Sequence, residues 1–218
     1  MLHTTSEENY IKAIYHLQNV HGKVSTTLLS EAMQIKPASV TDMLKKLQAK
    51  KMVNYQRYQA FVLTDGGGKI ALDIIRKHRL WEFFLVDKLG FAWDKVHALA
   101  EELEHVKSRE LIVRLDNYLG NPSFDPHGDP IPDHKGKIKL VRQSNLYEMP
   151  LKKLLTVSAV KNQSIQMMDM LKHYHISIGS KIKVNRRFDF DNSVEIKVDK
   201  QPASVISNLI AINVFCNV

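Results

Sequence analysis

A chain of 218 residues, 44% apolar and 25% charged, is long enough for one large domain or two to three small ones built on an ordinary core. Its single cysteine, Cys216, excludes an intramolecular disulfide and a cysteine-rich zinc site, and no apolar run is long enough to span a bilayer. The net charge of +8 is uneven: residues 1–79 carry 12 Lys/Arg against 6 Asp/Glu, residues 80–140 carry 8 against 11, and residues 141–218 carry 11 against 6, so a basic third suited to phosphates precedes an acidic third suited to cations.

Residues 1–8 lack the basic and apolar stretches of a secretory leader, and a cytoplasmic location is expected. Over residues 8–20, Tyr10, Ile11, Ile14, Tyr15 and Leu17 recur at helical spacing, with Thr5 or Ser6 placed to cap this first amphipathic helix. After His21 and Gly22, Ser25 or Thr26 can cap a short helix through Leu28, Leu29, Ala32 and Met33. Gln34-Ile35-Lys36 makes a turn, and Pro37 sits at a first helical position, where a missing N–H is tolerated. A second helix then runs to about residue 50. Helix, short turn, helix is the helix-turn-helix arrangement, and the strand-like runs at 52–55 and 60–63 supply a β-hairpin wing. In the second helix Val40, Met43, Leu44 and Leu47 form the apolar stripe. Pro37, Ala38, Ser39, Thr41, Asp42, Lys45 and Lys46 are left for the outer face, small residues toward base edges and lysines toward phosphates. Thr26 on the preceding helix and Arg57 and Tyr58 at the wing tip complete the expected DNA contacts.

Gly66, Gly67 and Gly68 break the chain after Thr64-Asp65. They are no phosphate loop, since the Gly-Lys-Ser/Thr ending and a preceding buried strand are missing, and they read as a flexible entry to a long helix over about 69–89. Gly90-Phe91-Ala92-Trp93 turns, Asp94 can cap a helix over 95–105, and a further helix spans about 108–119. Six of the imidazoles and carboxylates between positions 78 and 105 stand at spacings that suit metal ligands. His78 and Glu82 are i,i+4 neighbours, while His97, Glu101, Glu104 and His105 recur at +4, +7 and +8, so each set is expected on one helix face. Two such faces packed together hold one or two divalent ions. Leu80, Phe83, Phe84, Leu103, Leu111 and Leu115 offer more apolar surface than one small helical unit buries, which implies a dimer interface.

A Pro/Gly-rich linker over about 121–136 leads into a third region. A helical pattern at 163–174, strand-like runs at 178–184 and 193–198 and a final apolar run at 205–214 suggest a small barrel. Arg186 and Arg187 read as a solvated turn, and no catalytic constellation is present there.

Arg76-Lys77-His78-Arg79-Leu80 with Glu82, then Lys95-Val96-His97, Glu104-His105 and Asp125-Pro126-His127-Gly128-Asp129-Pro130-Ile131-Pro132, follow in an order that resembles the diphtheria toxin repressor family of metal-dependent transcriptional regulators. The resemblance covers nearly the whole chain. It implies a mainly α fold with small β parts: a winged helix-turn-helix DNA-binding domain over 1–73, a helical dimerisation and metal-binding domain over 74–140, and an SH3-like small β-barrel of the iron-transport-accessory type over 141–218. It also implies a homodimeric repressor of manganese or iron uptake genes that binds a palindromic double-stranded operator when loaded with metal. Catalysis, a membrane partner and a small-molecule substrate are not expected.

By the same resemblance His78, Glu82 and His97 match an ancillary site, and Glu101, Glu104 and His105 a primary one. Manganese-type members resemble one another in having glutamate at position 101, where iron-type members have cysteine. Replacing a soft thiolate by a hard carboxylate favours Mn(II) in direction, with Fe(II) as the second candidate. Asn9, just before Tyr10, stands where the family has methionine or aspartate, and its amide oxygen is a neutral hard donor. Lys12 stands where the short manganese regulators have a second acid, which argues against their binuclear cluster. Asp125 replaces a cysteine of some three-domain manganese regulators and is an additional candidate ligand, whereas His127 reads as a loop-packing residue. Gln163 and Gln166 are candidates to approach the ancillary site. Metal is expected to draw Asn9 toward Glu101, Glu104 and His105 and so fix two recognition helices about one DNA turn apart.

Two other readings compete. A di-iron carboxylate enzyme is prompted by the Glu-x-x-His of Glu102 to His105, but that chemistry needs a second such motif, which is absent. A winged-helix regulator that uses the cluster only structurally predicts operator binding indifferent to chelator.

Overall fold

The computed structural model describes residues 3–56, 59–139 and 141–217, and the chain divides into two compact units. The first comprises residues 1–78, 103–108 and 132–137; the second comprises residues 79–102, 109–131 and 138–218.

The first unit begins with helix α1 (Thr5–His21). Its cap is Thr4, one residue ahead of the expected Thr5 or Ser6: the Glu7 N–H donates to Thr4 Oγ1 at 3.2 Å while the Thr4 N–H donates to Glu7 Oε2 at 3.0 Å. Thr5 also has a glutamate, Glu8, three residues on, but the Glu8 carboxylate is engaged by His105 and Lys107, and the reciprocal capping box closes on Thr4 and Glu7. Helix α2 (Thr26–Met33), capped by Ser25, leads through Gln34, at a φ of 55°, into α3 (Pro37–Ala49). Val40, Leu44 and Leu47 of α3 share one fully buried core with Ile11, Ile14, Leu29 and Phe61. Strands β1 (Val53–Asn54) and β2 (Val62–Leu63) pair antiparallel and form the wing. Arg57 and Tyr58, expected at its tip, lie outside the described residues.

Helix α4 (Asp65–Asp87) begins four residues earlier than the pattern suggests and takes all three glycines into its first turns. They are not a flexible entry. The Gly67 N–H donates to Thr64 Oγ1 at 3.1 Å, and a Cβ on Gly67 would lie 2.2 Å from the Met52 carbonyl oxygen. Glycine at 67 therefore serves the close approach of two backbones.

In the second unit the part of α4 from Arg79 onward joins α5 (Val96–Leu103) and α6 (Arg109–Tyr118). Leu80, Ile112, Leu115 and Ile131 form a small core, with Trp81 and Phe84 packed against it, while Leu111, Val113 and Tyr118 on α6 stay exposed. Helix α5 ends at Leu103, so Glu104 and His105 stand in the following turn and leave the helical face expected to carry them with His97 and Glu101. The helix ends where the chain passes from the second unit to the first.

The remainder supplies β3 (Gln143–Asn145), β4 (Leu154–Val160), α7 (Ile165–His173), β5 (Lys181–Arg187), β6 (Val194–Val198), β7 (Ser204–Ile206), α8 (Asn208–Asn213) and β8 (Val214–Asn217). The six strands form one antiparallel sheet in the order β3-β8-β4-β5-β6-β7. Leu155 and Val157 of β4, Ile182 and Val184 of β5 and Ile196 of β6 enclose a core with Met167 and Leu171 of α7. The apolar run at 205–214 divides into strand, helix and strand because Ser207 caps α8 within it. Arg187 belongs to β5 rather than to a turn, and its guanidinium donates to the Tyr147 and Met149 carbonyls. No helix among the described residues is long and apolar enough to cross a membrane.

Candidate metal centres and DNA face

Each unit carries its own cluster of imidazoles and buried carboxylates. In the first unit α1 supplies Glu8, Asn9 and Lys12, α4 supplies Lys77 and His78, and the segment 103–108 supplies Glu104, His105 and Lys107. Glu104 is fully buried: His78 Nδ1 stands 2.6 Å from its Oε2, and Lys12 Nζ donates to its Oε1 at 2.6 Å. Glu8 is held in the same manner, by His105 Nδ1 at 2.6 Å from Oε2 and by Lys107 on Oε1. Burial raises the Glu8 carboxyl, but the Lys107 and His105 hydrogen bonds and the charges of Lys77 and Lys107 outweigh it and leave it below the ordinary range. Asn9 Oδ1 is buried without a hydrogen-bond partner, a cost that a bound cation would relieve.

In the second unit Glu82, Asp125 and His127 are all buried, and one donor atom of each lies within 4.8 Å of the other two. The loop that carries Asp125 and His127 is fixed by its own geometry. Asp125 Oδ1 accepts from the N–H groups of His127 and Asp129 at 2.8 and 2.9 Å, and the Val160 N–H donates to the His127 carbonyl at 2.9 Å. Gly128, at a φ of 83°, presses against β4 so closely that a Cβ would lie 1.9 Å from the Ser158 oxygen. Asp125 Oδ2 and His127 Nδ1 are left without hydrogen bonds; their charged neighbours are Arg79 Nε at 3.5 Å and Glu82 Oε2 at 3.7 Å, beyond hydrogen-bonding range. His127 Nε2 lies 2.9 Å from the Trp93 carbonyl, a contact made by the N–H tautomer at that nitrogen, which leaves Nδ1 with its lone pair available. Burial, reinforced by Asp129 and Glu82, pushes the Asp125 carboxyl up to about 7. Burial pulls the His127 imidazole down, yet Glu82 and Asp125 outweigh it and the net shift is upward. His97 Nδ1 lies 3.3 Å from Glu82 Oε1 and His97 Nε2 lies 3.6 Å from Glu101 Oε1; both His97 and Glu101 are partly exposed.

The sequence-derived ligands thus divide between the units. Asn9, His78, Glu104 and His105 stand in the first, and Glu82, His97, Glu101 and Asp125 in the second. Glu8 and His127 are additions to the expected sets. His127 carried a signal in Asp-Pro-His-Gly, whereas the Glu8 to His105 pair, 97 positions apart, carried none. Gln163 Nε2 lies 3.4 Å from Asp129 Oδ2, and Gln166 is exposed. The donors are hard carboxylate and amide oxygens with borderline imidazoles, a set that suits Mn(II) and Fe(II). The lone thiol, Cys216, is buried in the sheet unit and pushed up to about 12, so it offers no thiolate.

On α3, Pro37, Ala38, Ser39, Asp42, Lys45 and Lys46 are exposed and Thr41 is half-buried, as is Thr26 at the start of α2. Thr41 Oγ1 donates to the Pro37 carbonyl at 3.0 Å, and Lys45 pairs with Asp42 at 3.1 Å. Both members of that pair are well over half exposed, so it is a weak tether that a phosphate can replace.

Residues 2–61 match the family model described as "Iron dependent repressor, N-terminal DNA binding domain", and residues 64–133 match "Iron dependent repressor, metal binding and dimerisation domain". The iron-dependent repressor IdeR of Mycobacterium tuberculosis is 32% identical over 125 residues, 57% of this chain and 54% of that protein. The aligned stretch thus spans about half the length of such relatives. The HTH-type transcriptional regulator MntR of Oceanobacillus iheyensis is 35% identical over 116 residues, 53% of this chain and 78% of that protein. Among solved structures, a manganese-dependent transcriptional repressor in complex with manganese superposes with a TM-score of 0.86 at 32% identity, covering 97% of this chain and 99% of the other.

Proposed function

The chain belongs to the iron-dependent repressor family, that of the diphtheria toxin repressor, and on that premise we propose that it is a metal-dependent DNA-binding transcriptional repressor. It responds to Mn(II), with Fe(II) as the second candidate, and acts as a homodimer on a palindromic operator of manganese or iron uptake genes. Its role is regulatory, not catalytic. The functional division proposed is DNA binding over 1–73, metal binding and dimerisation over 74–140, and a small sheet domain over 141–218.

The observation that carries this reading is the placement of Asn9. Its orphaned, buried amide oxygen sits on α1, the helix that shares one core with the recognition helix α3, and the same helix sends Lys12 to Glu104 and Glu8 to His105. We assign Asn9, Glu104 and His105 as metal donors of the first unit, with His78 beside them. Glu82, Asp125 and His127 are those of the second, with His97 and Glu101 as further donors. A bound divalent ion supplies positive charge that several hard donors share. Asn9, Glu104 and His105, once held as one group, fix α1 relative to the segment 103–108, and through the common core α1 fixes α3. The exposed face of α3 then meets DNA in one orientation. Coupling of this kind typically amounts to 5–150-fold in affinity.

Selection of duplexes from a random library by the full chain tests the proposal. With Mn(II) present, a palindromic sequence is expected to be enriched; the same enrichment in EDTA would contradict metal control.

A further inference from the structure

Both oxygens of Glu104 already have partners within the protein. Lys12 Nζ donates to Oε1 at 2.6 Å, and His78 Nδ1 stands 2.6 Å from Oε2. The carboxylate is fully buried and the Lys12 side chain is only 13% exposed, so this charge-assisted hydrogen bond is short and little screened. Glu8 has the same pairing of one lysine with one histidine, but Lys107 is 43% exposed and can exchange Glu8 for water at little cost. Lys12 is different, because the oxygen it holds lies on a carboxylate with no access to solvent.

From this geometry we infer that Lys12 is a tethered cation: it holds Glu104 in the metal-free protein and competes with a divalent ion for the same oxygen. It thereby sets the metal concentration at which the first site fills. The inference rests on Glu104 being a metal donor, as proposed above. An ammonium and a divalent ion cannot both contact Oε1 at hydrogen-bonding range without strong repulsion in a buried setting. The four-carbon stem of lysine lets the ammonium withdraw, and Glu8, one turn back on α1, is a second acceptor within its reach. Removing the ammonium acts on both sides of the equilibrium. The metal-free state is left with a buried carboxylate short of one cation, and the metal-bound state no longer has to displace one.

The test is calorimetric titration of the full chain with Mn(II), for wild type, K12M and K12R, each with and without E104Q, together with thermal midpoints of the metal-free proteins. K12M is expected to strengthen the Glu104-dependent binding event about tenfold, the size of one charge-assisted hydrogen bond, and to lower the metal-free midpoint. That gain should vanish in the E104Q background. K12R keeps the charge and can grip a carboxylate through two parallel N–H bonds, so it should bind no more tightly than wild type. Should K12M not fold without metal, K12R decides, and tighter Mn(II) binding by K12R would overturn the inference. Equal Mn(II) affinity in K12M and wild type, both weakened by E104Q, overturns the tethered-cation role and leaves Glu104 a ligand. An affinity indifferent to E104Q in every background overturns both.

Discussion

Glu8 and Asp125 are both buried carboxylates beside a histidine in a candidate metal cluster, yet they are shifted in opposite directions. Burial raises both. At Glu8 the hydrogen bonds and charges of Lys107, His105 and Lys77 reverse that effect. At Asp125 the neighbouring Asp129 and Glu82 add to it, and Arg79 and His127 offset only part, so the carboxyl rises to about 7. The first unit therefore balances its buried acids with its own lysines and must give one up to accept a divalent ion. The second sets Glu82, Asp125 and Asp129 around Arg79 and His127, with Lys161 on Asp129 and His97 beside Glu82, yet Asp125 keeps its raised carboxyl, and an added cation relieves it. Two clusters of similar donors in one chain thus stand in different electrostatic states: one is a competition, the other a deficit.

The largest expected effect separates the two clusters by function. E104Q and H105A should each remove the metal-linked gain in operator affinity, about 10–100-fold on the usual scale of such coupling, as read by anisotropy in Mn(II) and in EDTA. D125N should leave most of that gain intact while weakening metal binding in the second unit. The reverse pattern would exchange the roles assigned to the clusters.

Next in size is the pH dependence of the metal-free protein. Asp125, at about 7 against an ordinary 3.8, and His127, raised above 6.5, bind more protons folded than unfolded, so the stability they contribute falls as pH rises from about 4 through 7 and beyond. Glu8 and Glu7 behave oppositely. Burial raises Glu7, but hydrogen bonds from Lys50 and Thr4 hold it low, and the stability these two acids contribute is present above their ordinary 4.5 and lost as pH falls below it. The thermal midpoint should accordingly peak near pH 5 and decline toward pH 8, by on the order of 2 kcal/mol in stability. D125N should flatten that decline, and a profile still falling as steeply in D125N would show that the deficit lies elsewhere.

Smaller effects test the elements that present the clusters. T4A breaks the capping box of α1 and should cost about 1 kcal/mol by urea denaturation, with metal affinity in the second unit unchanged. K45A should lower affinity for all duplexes alike and reduce the slope of log affinity against log salt by about 1, without altering metal binding at either cluster. A change in metal affinity on K45A would tie α3 to the donors by a route other than α1.

The helix-turn-helix was legible because its signals are local: Ser25 as a cap, Gln34 and Pro37 in the turn, and the stripe of Val40, Leu44 and Leu47. The Thr4 to Glu7 capping box is equally local but was not read, because Thr5 with Glu8 offers the same spacing. The candidate donors could be named from the sequence, but spacing put Glu104 and His105 on the helix that carries His97 and Glu101, and the structure does not. Counting +4, +7 and +8 from His97 assumes an unbroken helix, and α5 ends at Leu103, one residue before Glu104. The roles of Glu8 and Lys12 depend on partners 97 and 92 positions away, which no local pattern encodes. Strand β3, Gln143-Ser144-Asn145, has no apolar alternation to read and is defined by its pairing with β8.

The most direct test of the central claim is fluorescence anisotropy of the selected palindrome, titrated with the full chain in EDTA, in Mn(II) and in anaerobic Fe(II). Tight binding only with metal, strongest with Mn(II) and lost in E104Q, is the predicted result. Equally tight binding in EDTA would contradict metal control and leave a winged-helix DNA-binding protein whose clusters are not its switch.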